Sequence, residues 1–189
     1  MRVEHALPVT VRLDEGIAVM EREFSHINAL GKLRMVDVTS KRMTRRLAMA
    51  RCLVVTTADI SALEPREDDI DPVLCARIAG VSAAKRTSEL IPLCHTLNLN
   101  DVDVELTRHD RGIEVTTTVT ATQRTGVEME ALTACALAAL SILSSLQGED
   151  PLSQIDELEL LRKEGGRSGS WGRLVEGAEP NPPDRHGTT

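Results

Sequence analysis

A Cys94-His95 dipeptide and a Lys85-Arg86 pair are the side chains of this sequence that most suggest chemistry. Both pairs lie in the 22-residue segment 76–97, which reads ARIAGVSAAKRTSELIPLCHTL. An imidazole near its unperturbed pKa can both give and take a proton at neutral pH, which makes His95 a candidate proton carrier. The two cations fit two roles equally well: they complement the negative end of a helix dipole, or they form part of an anion site.

Two glutamates form a second candidate group. Glu128 and Glu130 lie two positions apart in a predicted helix, about 200° around its axis, so they are not expected to face one site together. Glu128 follows Thr125 by three residues, the spacing of a capping box in which Thr125 is the N-cap. Glu130 is therefore the carboxylate expected to face a ligand.

The composition and net charge of the chain disfavour a nucleic-acid partner. The 189 residues have room for one domain with a sizeable core, and the formal net charge is -7. That charge disfavours a surface that follows nucleic-acid phosphates, and any basic site must be local. One Phe, one Trp and no Tyr leave almost no platform for base stacking. The sequence therefore predicts an aliphatic core and no nucleic-acid partner.

Cysteine usage and hydropathy indicate a soluble, cytoplasmic protein. The four cysteines show no CxxC pair, and the chain has no basic start followed by an apolar run, so we predict reduced thiols and no secretory signal. The charge-free stretch 131–146 is shorter than the roughly 20 apolar residues that a membrane span needs. No membrane association is expected.

The first part of segment 76–97 is predicted to be a helix, which would position the residues that follow it. Asp71 is the predicted N-cap and Pro72 the first helical residue, and small side chains on one flank allow a close approach to a sheet. Pro92 should stop the helix and leave Leu93-Cys94-His95 extended, which would point the last two side chains to opposite faces.

The remaining elements give the order strand, helix, strand, strand, helix, strand. The first strand is predicted over 46–57, with Leu47, Met49, Leu53 and Val55 on one side. A hairpin with its turn at 109–112, a long helix ending near Leu146 and a strand over 155–162 follow. This order predicts an α+β, ferredoxin-like fold: an antiparallel sheet with both helices packed on one face. The long helix is apolar on nearly every side, so we expect a second subunit to help cover it.

Residues 1–24 are expected to be an N-terminal extension with at most one edge strand, 25–174 the folded domain, and 175–189 a disordered, proline-rich tail.

Four segments resemble one known family. They are HINALGKLRMVDVTSK, ARIAGVSAAKRTSELIPLCHTL, RTGVEMEALTA and KEGGRSG, and their order and spacing across about residues 25–169 are similar to those of cyclic pyranopterin monophosphate synthase, the MoaC family of molybdenum cofactor biosynthesis. The resemblance implies a lyase that converts 3',8-cyclo-7,8-dihydroguanosine triphosphate to cyclic pyranopterin monophosphate and releases pyrophosphate. It also implies a hexamer built from dimers, with active sites at subunit interfaces. We expect no metal and no cofactor.

The resemblance assigns site residues by position. The residues that match substrate contacts are Leu93, Cys94, His95, Met129 and Glu130, and those that match basic pocket residues are Lys85, Arg46 and Lys163. A triphosphate needs several cations that converge from different segments, and Arg86 and Arg167 beside the Gly165-Gly166 backbone add to the supply.

The chain departs from the family pattern at three catalytic positions. A gapless count places Asp69 at a catalytic lysine, and Ser144 and Gln147 at the aspartate and lysine of an Asp-x-x-Lys. The alternative interpretation is therefore a catalytically silent ligand-binding or scaffold subunit, which could assemble with a lysine-complete homologue.

Overall fold

The computed structural model describes residues 26–27, 32–63, 71–166 and 169–173. The chain divides into two compact units, Met1–Val36 and Asp37–Thr189. In the first unit, Ile27 and Leu33 form an isolated antiparallel bridge. The extension and edge strand predicted for 1–24, and the tail predicted for 175–189, lie outside the described residues.

One antiparallel sheet forms the framework of the second unit. Its strands are β1 (Thr44–Val55), β2 (Asp101–His109), β3 (Gly112–Gln123), β4 (Gln154–Glu164) and β5 (Trp171–Gly172), and its helices are α1 (Pro72–Lys85), α2 (Thr87–Leu90) and α3 (Glu128–Leu146). The spatial order is β2-β3-β1-β4-β5, and every paired strand is antiparallel. The predicted α+β, ferredoxin-like fold is confirmed. β5, only two residues long, was not predicted.

Helix α1 begins as predicted. The Asp71 carboxylate accepts hydrogen bonds from the backbone N–H groups of Val73 (2.8 Å) and Leu74 (3.0 Å), and Pro72 occupies the first helical position. The helix ends earlier than predicted, at Lys85. The short helix α2 follows and ends before Pro92.

The small flank of α1 packs against α3 and β2. Gly80 is buried, and a Cβ atom built there would lie 3.0 Å from Val104 Cγ2 and 3.1 Å from the Ala134 carbonyl oxygen. The predicted close approach is therefore made to a helix as well as to the sheet.

The core-facing side of β1 differs from the predicted one. The strand residues that face the helices and are fully buried are Ala48, Ala50, Cys52 and Val54. Leu47, Met49 and Val55 are only half-buried and alternate with them, while Leu53 is buried beside a register shift against β4. Small side chains suit the helix-facing side because they let the axis of α3 lie close to the sheet.

The start of α3 also differs from the prediction. The N-cap is Val127, which makes no side-chain cap, and the first backbone bond runs from Ala131 N–H to Val127 O at 3.1 Å. The prediction of a capping box formed by Thr125 and Glu128 is therefore wrong. Glu128 is the first helical residue and is free to pair with another segment.

Helix α3 lies against the centre of the sheet. Cys135 and Ile142 on its sheet-facing side are fully buried, whereas Met129 and Leu140 are 38% and 46% exposed. The helix has the length and apolarity of a membrane-spanning helix, and half of it is buried inside the fold. Its buried residues make it the core helix of this unit.

Candidate active site

The fold gathers the predicted site residues at one end of the sheet. The start of β1 pairs with the end of β3 (Thr44 with Gln123), and the end of β4 pairs beside them (Glu164 with Leu47). Because the strands are antiparallel, the start of α3 and the connection 86–100 from α1 to β2 come to the same end. We call this the site end.

Arg46 joins three segments at the site end. Its side chain is 8% exposed, and its guanidinium donates to the carbonyl oxygens of Gln123 and Arg124, both at 3.3 Å. A Cβ atom on Gly166 would collide with this guanidinium, and Gly165 and Gly166 both have positive φ. Glycine is needed here because the backbone must turn left-handed against an arginine. Arg46 thus ties the glycine turn to the end of β3.

Lys163 faces the helix layer beside Arg46. It pairs with Ala48 across β1 and β4, so the two side chains lie on the same face of the sheet. Its Nζ atom is 3.3 Å from Oε1 of Glu128. The first residue of α3 is therefore neutralised by a cation from β4, a pairing that the sequence reasoning missed because it had assigned Glu128 to a cap.

Glu130 is the buried carboxyl of the site end. Its side chain is 4% exposed. Burial raises its pKa from an ordinary value of 4.5 to about 7, and the nearby charge of Glu128 also raises it. A carboxyl with such a pKa can hold or release a proton near neutral pH.

The chain turns at Pro92 and Leu93, at the start of the segment that was predicted to be extended. Leu93 has φ of 69°, and the Cys94 N–H donates to the Ile91 carbonyl oxygen at 3.3 Å. Cys94 and His95 themselves lie outside any helix, strand or turn, so the placement of their side chains on opposite faces stays a prediction. Burial and the charge of Glu130 both raise the pKa of the Cys94 thiol, which places this turn close to Glu130.

The Lys85-Arg86 pair lies at the same end but on the surface. Both side chains are exposed. The Arg86 guanidinium donates to Glu89 at 3.0 Å across one helical turn, which is a surface ion pair. For Arg86, this surface ion pair is therefore better supported than a place in an anion site.

Two of the three departures from the family pattern, Ser144 and Gln147, lie away from this group within one chain. Ser144 and Gln147 are exposed at the far end of α3, and Ser144 lies about 21 Å along the helix from Glu130. Asp69 and Arg167 lie outside the described residues.

Asp150 fixes the far end of α3. Its carboxylate accepts the Thr57 N–H at 2.7 Å and the Thr56 hydroxyl at 2.9 Å, just beyond the end of β1. These bonds, that of the Thr57 N–H first, hold the pKa of Asp150 well below its usual range. Asp150 therefore has a structural role opposite the site end.

Thr133 is a polar residue of this region that the sequence reasoning did not single out. It lies one turn after Glu130 and is 6% exposed. Its signal in the sequence was its spacing of three residues from Glu130, which places both on one side of a helix.

Among the described residues, no group of three or more His, Cys, Asp or Glu side chains is arranged to hold a metal ion.

Comparisons with known proteins show which family this chain resembles. Cyclic pyranopterin monophosphate synthase 2 of Mycobacterium tuberculosis (strain ATCC 25618 / H37Rv) is 47% identical over 156 residues, which cover 80% of this chain and 92% of the relative. The cyclic pyranopterin monophosphate synthase of Chloroflexus aurantiacus (strain ATCC 29366 / DSM 635 / J-10-fl) is 46% identical over 155 residues, 80% of this chain and 95% of the relative. A model of the MoaC family matches residues 35–166. On this identity, coverage and fold, the chain belongs to the MoaC family.

Proposed function

We propose that this protein is a cytoplasmic lyase of molybdenum cofactor biosynthesis. Its reaction is the conversion of 3',8-cyclo-7,8-dihydroguanosine triphosphate to cyclic pyranopterin monophosphate, with release of pyrophosphate. The observation that carries the proposal is the convergence, at the site end, of two cations from different strands with a buried carboxyl that titrates near neutral pH.

The cationic part suits the triphosphate. Arg46 and Lys163 come from β1 and β4, and the Gly165-Gly166 turn lies directly against Arg46. A polyphosphate is bound best by cations and backbone N–H groups that approach from several directions. Lys85, exposed at the end of α1, would supply a further charge.

The remaining residues suit the ring system and its protons. Glu130, with Met129 beside it, would contact the ring, and the turn of Leu93 and Cys94 would close over it. His95, half-buried after that turn, would carry protons.

We further propose that the complete site forms between subunits. Ser144 and Gln147 occupy positions that are catalytic in the family, yet they lie far from Glu130 in the same subunit. A neighbouring copy can bring its far end to the site end, which agrees with the hexamer implied by the resemblance. A lysine-complete homologue could supply that neighbour in a mixed assembly.

The test is pyrophosphate release from the cyclic triphosphate by purified protein, with a lysine-complete family member assayed in parallel. Turnover that falls at least a hundredfold in a Lys163→Ala variant supports the proposal. Absence of turnover in the wild type, where the parallel enzyme is active, refutes the lyase and leaves the silent ligand-binding subunit. In that case the triple variant Asp69→Lys, Ser144→Asp, Gln147→Lys tests whether the substituted positions cause the loss.

A further inference from the structure

A buried hydroxyl on α3 lacks a hydrogen-bond partner. The Thr133 side chain is 6% exposed, and among the described residues its Oγ1 atom is the one buried side-chain oxygen or nitrogen without a partner. Burying a hydroxyl without a hydrogen bond costs free energy, about 1–3 kcal/mol, so such groups are rare in folded proteins. An unpartnered hydroxyl inside a fold therefore points to a ligand that bonds it.

The position of Thr133 on α3 indicates that its ligand would be the one that Glu130 contacts. Residues three apart on a helix lie about 60° apart around the axis and within one turn, so Thr133 and Glu130 share one side of α3. The Cys94 thiol lies near this part of α3, since burial and the charge of Glu130 both raise its pKa. Two buried polar groups thus lie one helical turn apart on α3, at the site end.

The opposite sides of α3 are occupied by other contacts. Thr117 donates to the Ala131 carbonyl oxygen at 2.8 Å on the sheet side, and Gly80 of α1 packs against Ala134. Neither contact reaches the Thr133 hydroxyl.

We propose that Thr133 is a specificity-determining residue, whose hydroxyl bonds the polar edge of a purine-derived ring next to Glu130. This inference rests on the proposed function of the same site. A carboxylate accepts hydrogen bonds from adjacent N–H groups, and a hydroxyl can donate to the carbonyl that follows them. The pair therefore matches a ring edge with N–H and C=O groups in a row, as in guanine, and mismatches the edge of adenine.

The experiment compares nucleotide binding by calorimetry, with GTP, ATP and inorganic triphosphate as probes. The wild type should bind GTP more tightly than ATP. Thr133→Val should weaken GTP binding about 3- to 10-fold, leave inorganic triphosphate binding unchanged and reduce the preference for GTP over ATP. Thr133→Ser, which keeps the hydroxyl, should restore most of the preference.

Three results would overturn the inference. One is a wild type that binds GTP no more tightly than ATP. Another is a valine variant with unchanged GTP binding and a higher unfolding midpoint, which would make the hydroxyl a mere packing defect. The last is a valine variant that does not fold, which would make the hydroxyl part of the framework. Because binding is measured without turnover, failure of the lyase assay does not decide this test.

Discussion

Arg46 shows how one residue can serve both the fold and the site. Its guanidinium satisfies two carbonyl oxygens at the end of β3 and supports the glycine turn after β4. Arginine suits this position because its rigid planar fork carries separate donors, Nε and Nη2, to the two carbonyl oxygens, a spacing that the single ammonium of a lysine does not reproduce.

We expect Arg46→Lys to lower the free energy of unfolding by about 1 kcal/mol, because at least one of these two carbonyl oxygens loses its donor. Urea titration measures this change. Arg86→Lys, on an exposed arginine of the site end, is the matched control and should change stability by less than about 0.5 kcal/mol. Equal effects of the two variants would contradict the role assigned to Arg46.

Glu130 makes a separate prediction about pH. The folded protein holds the Glu130 proton more tightly than the unfolded chain, whose carboxyl titrates near 4.5, so the free energy of unfolding should fall as pH rises from about 4.5 to about 7. The full effect is on the order of 3 kcal/mol. Glu130→Gln removes the titrating group and should flatten that part of the pH profile.

Unfolding titrations at several pH values measure this difference. Glu149→Gln, which changes an exposed carboxyl beyond the other end of α3, should leave the profile unchanged. A wild-type stability that rises steadily between pH 4.5 and 7 would mean that Glu130 is not held in the buried state described here.

Between the elements, α1 approaches α3 and β2 closely at Gly80. The added methyl group of Gly80→Ala would press on a backbone carbonyl and on the Val104 and Ala138 side chains. Alanine favours a helix by about 1 kcal/mol over glycine, but overpacking typically costs about 1–3 kcal/mol. We expect a net loss of about 1 kcal/mol, measured by thermal or urea unfolding.

Gly148→Ala is the control for this prediction. No atom lies within 4 Å of a Cβ at Gly148, and its φ is not positive, so alanine there should be neutral or slightly stabilising. If Gly80→Ala stabilises the protein as well, the helices are not in contact at the distance described.

Element order and type were predictable because they depend on local patterns. The cap at Asp71 and the hairpin at 109–112 follow from short-range hydrogen bonds and turn geometry, and both appear as predicted. The errors concern features set by distant contacts. The buried side of β1 depends on how closely α3 approaches, and Glu128 is drawn from its predicted cap toward Lys163, thirty-five positions along the chain.

The site was predictable in part for the same reason. Residue types in segment 76–97 indicated chemistry, but the turn at Leu93 depends on one bond from Cys94 to Ile91 that no periodicity encodes. The burial that raises the pKa of Glu130 is likewise a property of the assembled layers.

At the scale of the whole molecule, α1 and α3 each carry exposed apolar side chains. Met129 and Leu140 are eleven residues apart on α3, three helical turns, and therefore project from the same side. Leu74 and Ile78 of α1, one turn apart, are each more than half exposed. Exposed apolar side chains arranged in rows are typical of a surface that packs against another protein. A second copy of the chain that covers the exposed side of α3 would agree with a site shared between subunits.

Leu140→Lys should therefore dissociate the proposed assembly and abolish turnover while each chain stays folded, because a charge in an apolar interface is costly to bury. Light scattering at micromolar concentration reports the mass, circular dichroism the fold, and pyrophosphate release the activity. Leu152→Lys is the control, since Leu152 is 87% exposed in the loop after α3 and should tolerate the charge. A wild type that is monomeric and fully active would contradict both the interface and the shared site, because a single subunit keeps its two groups of site positions at opposite ends of α3.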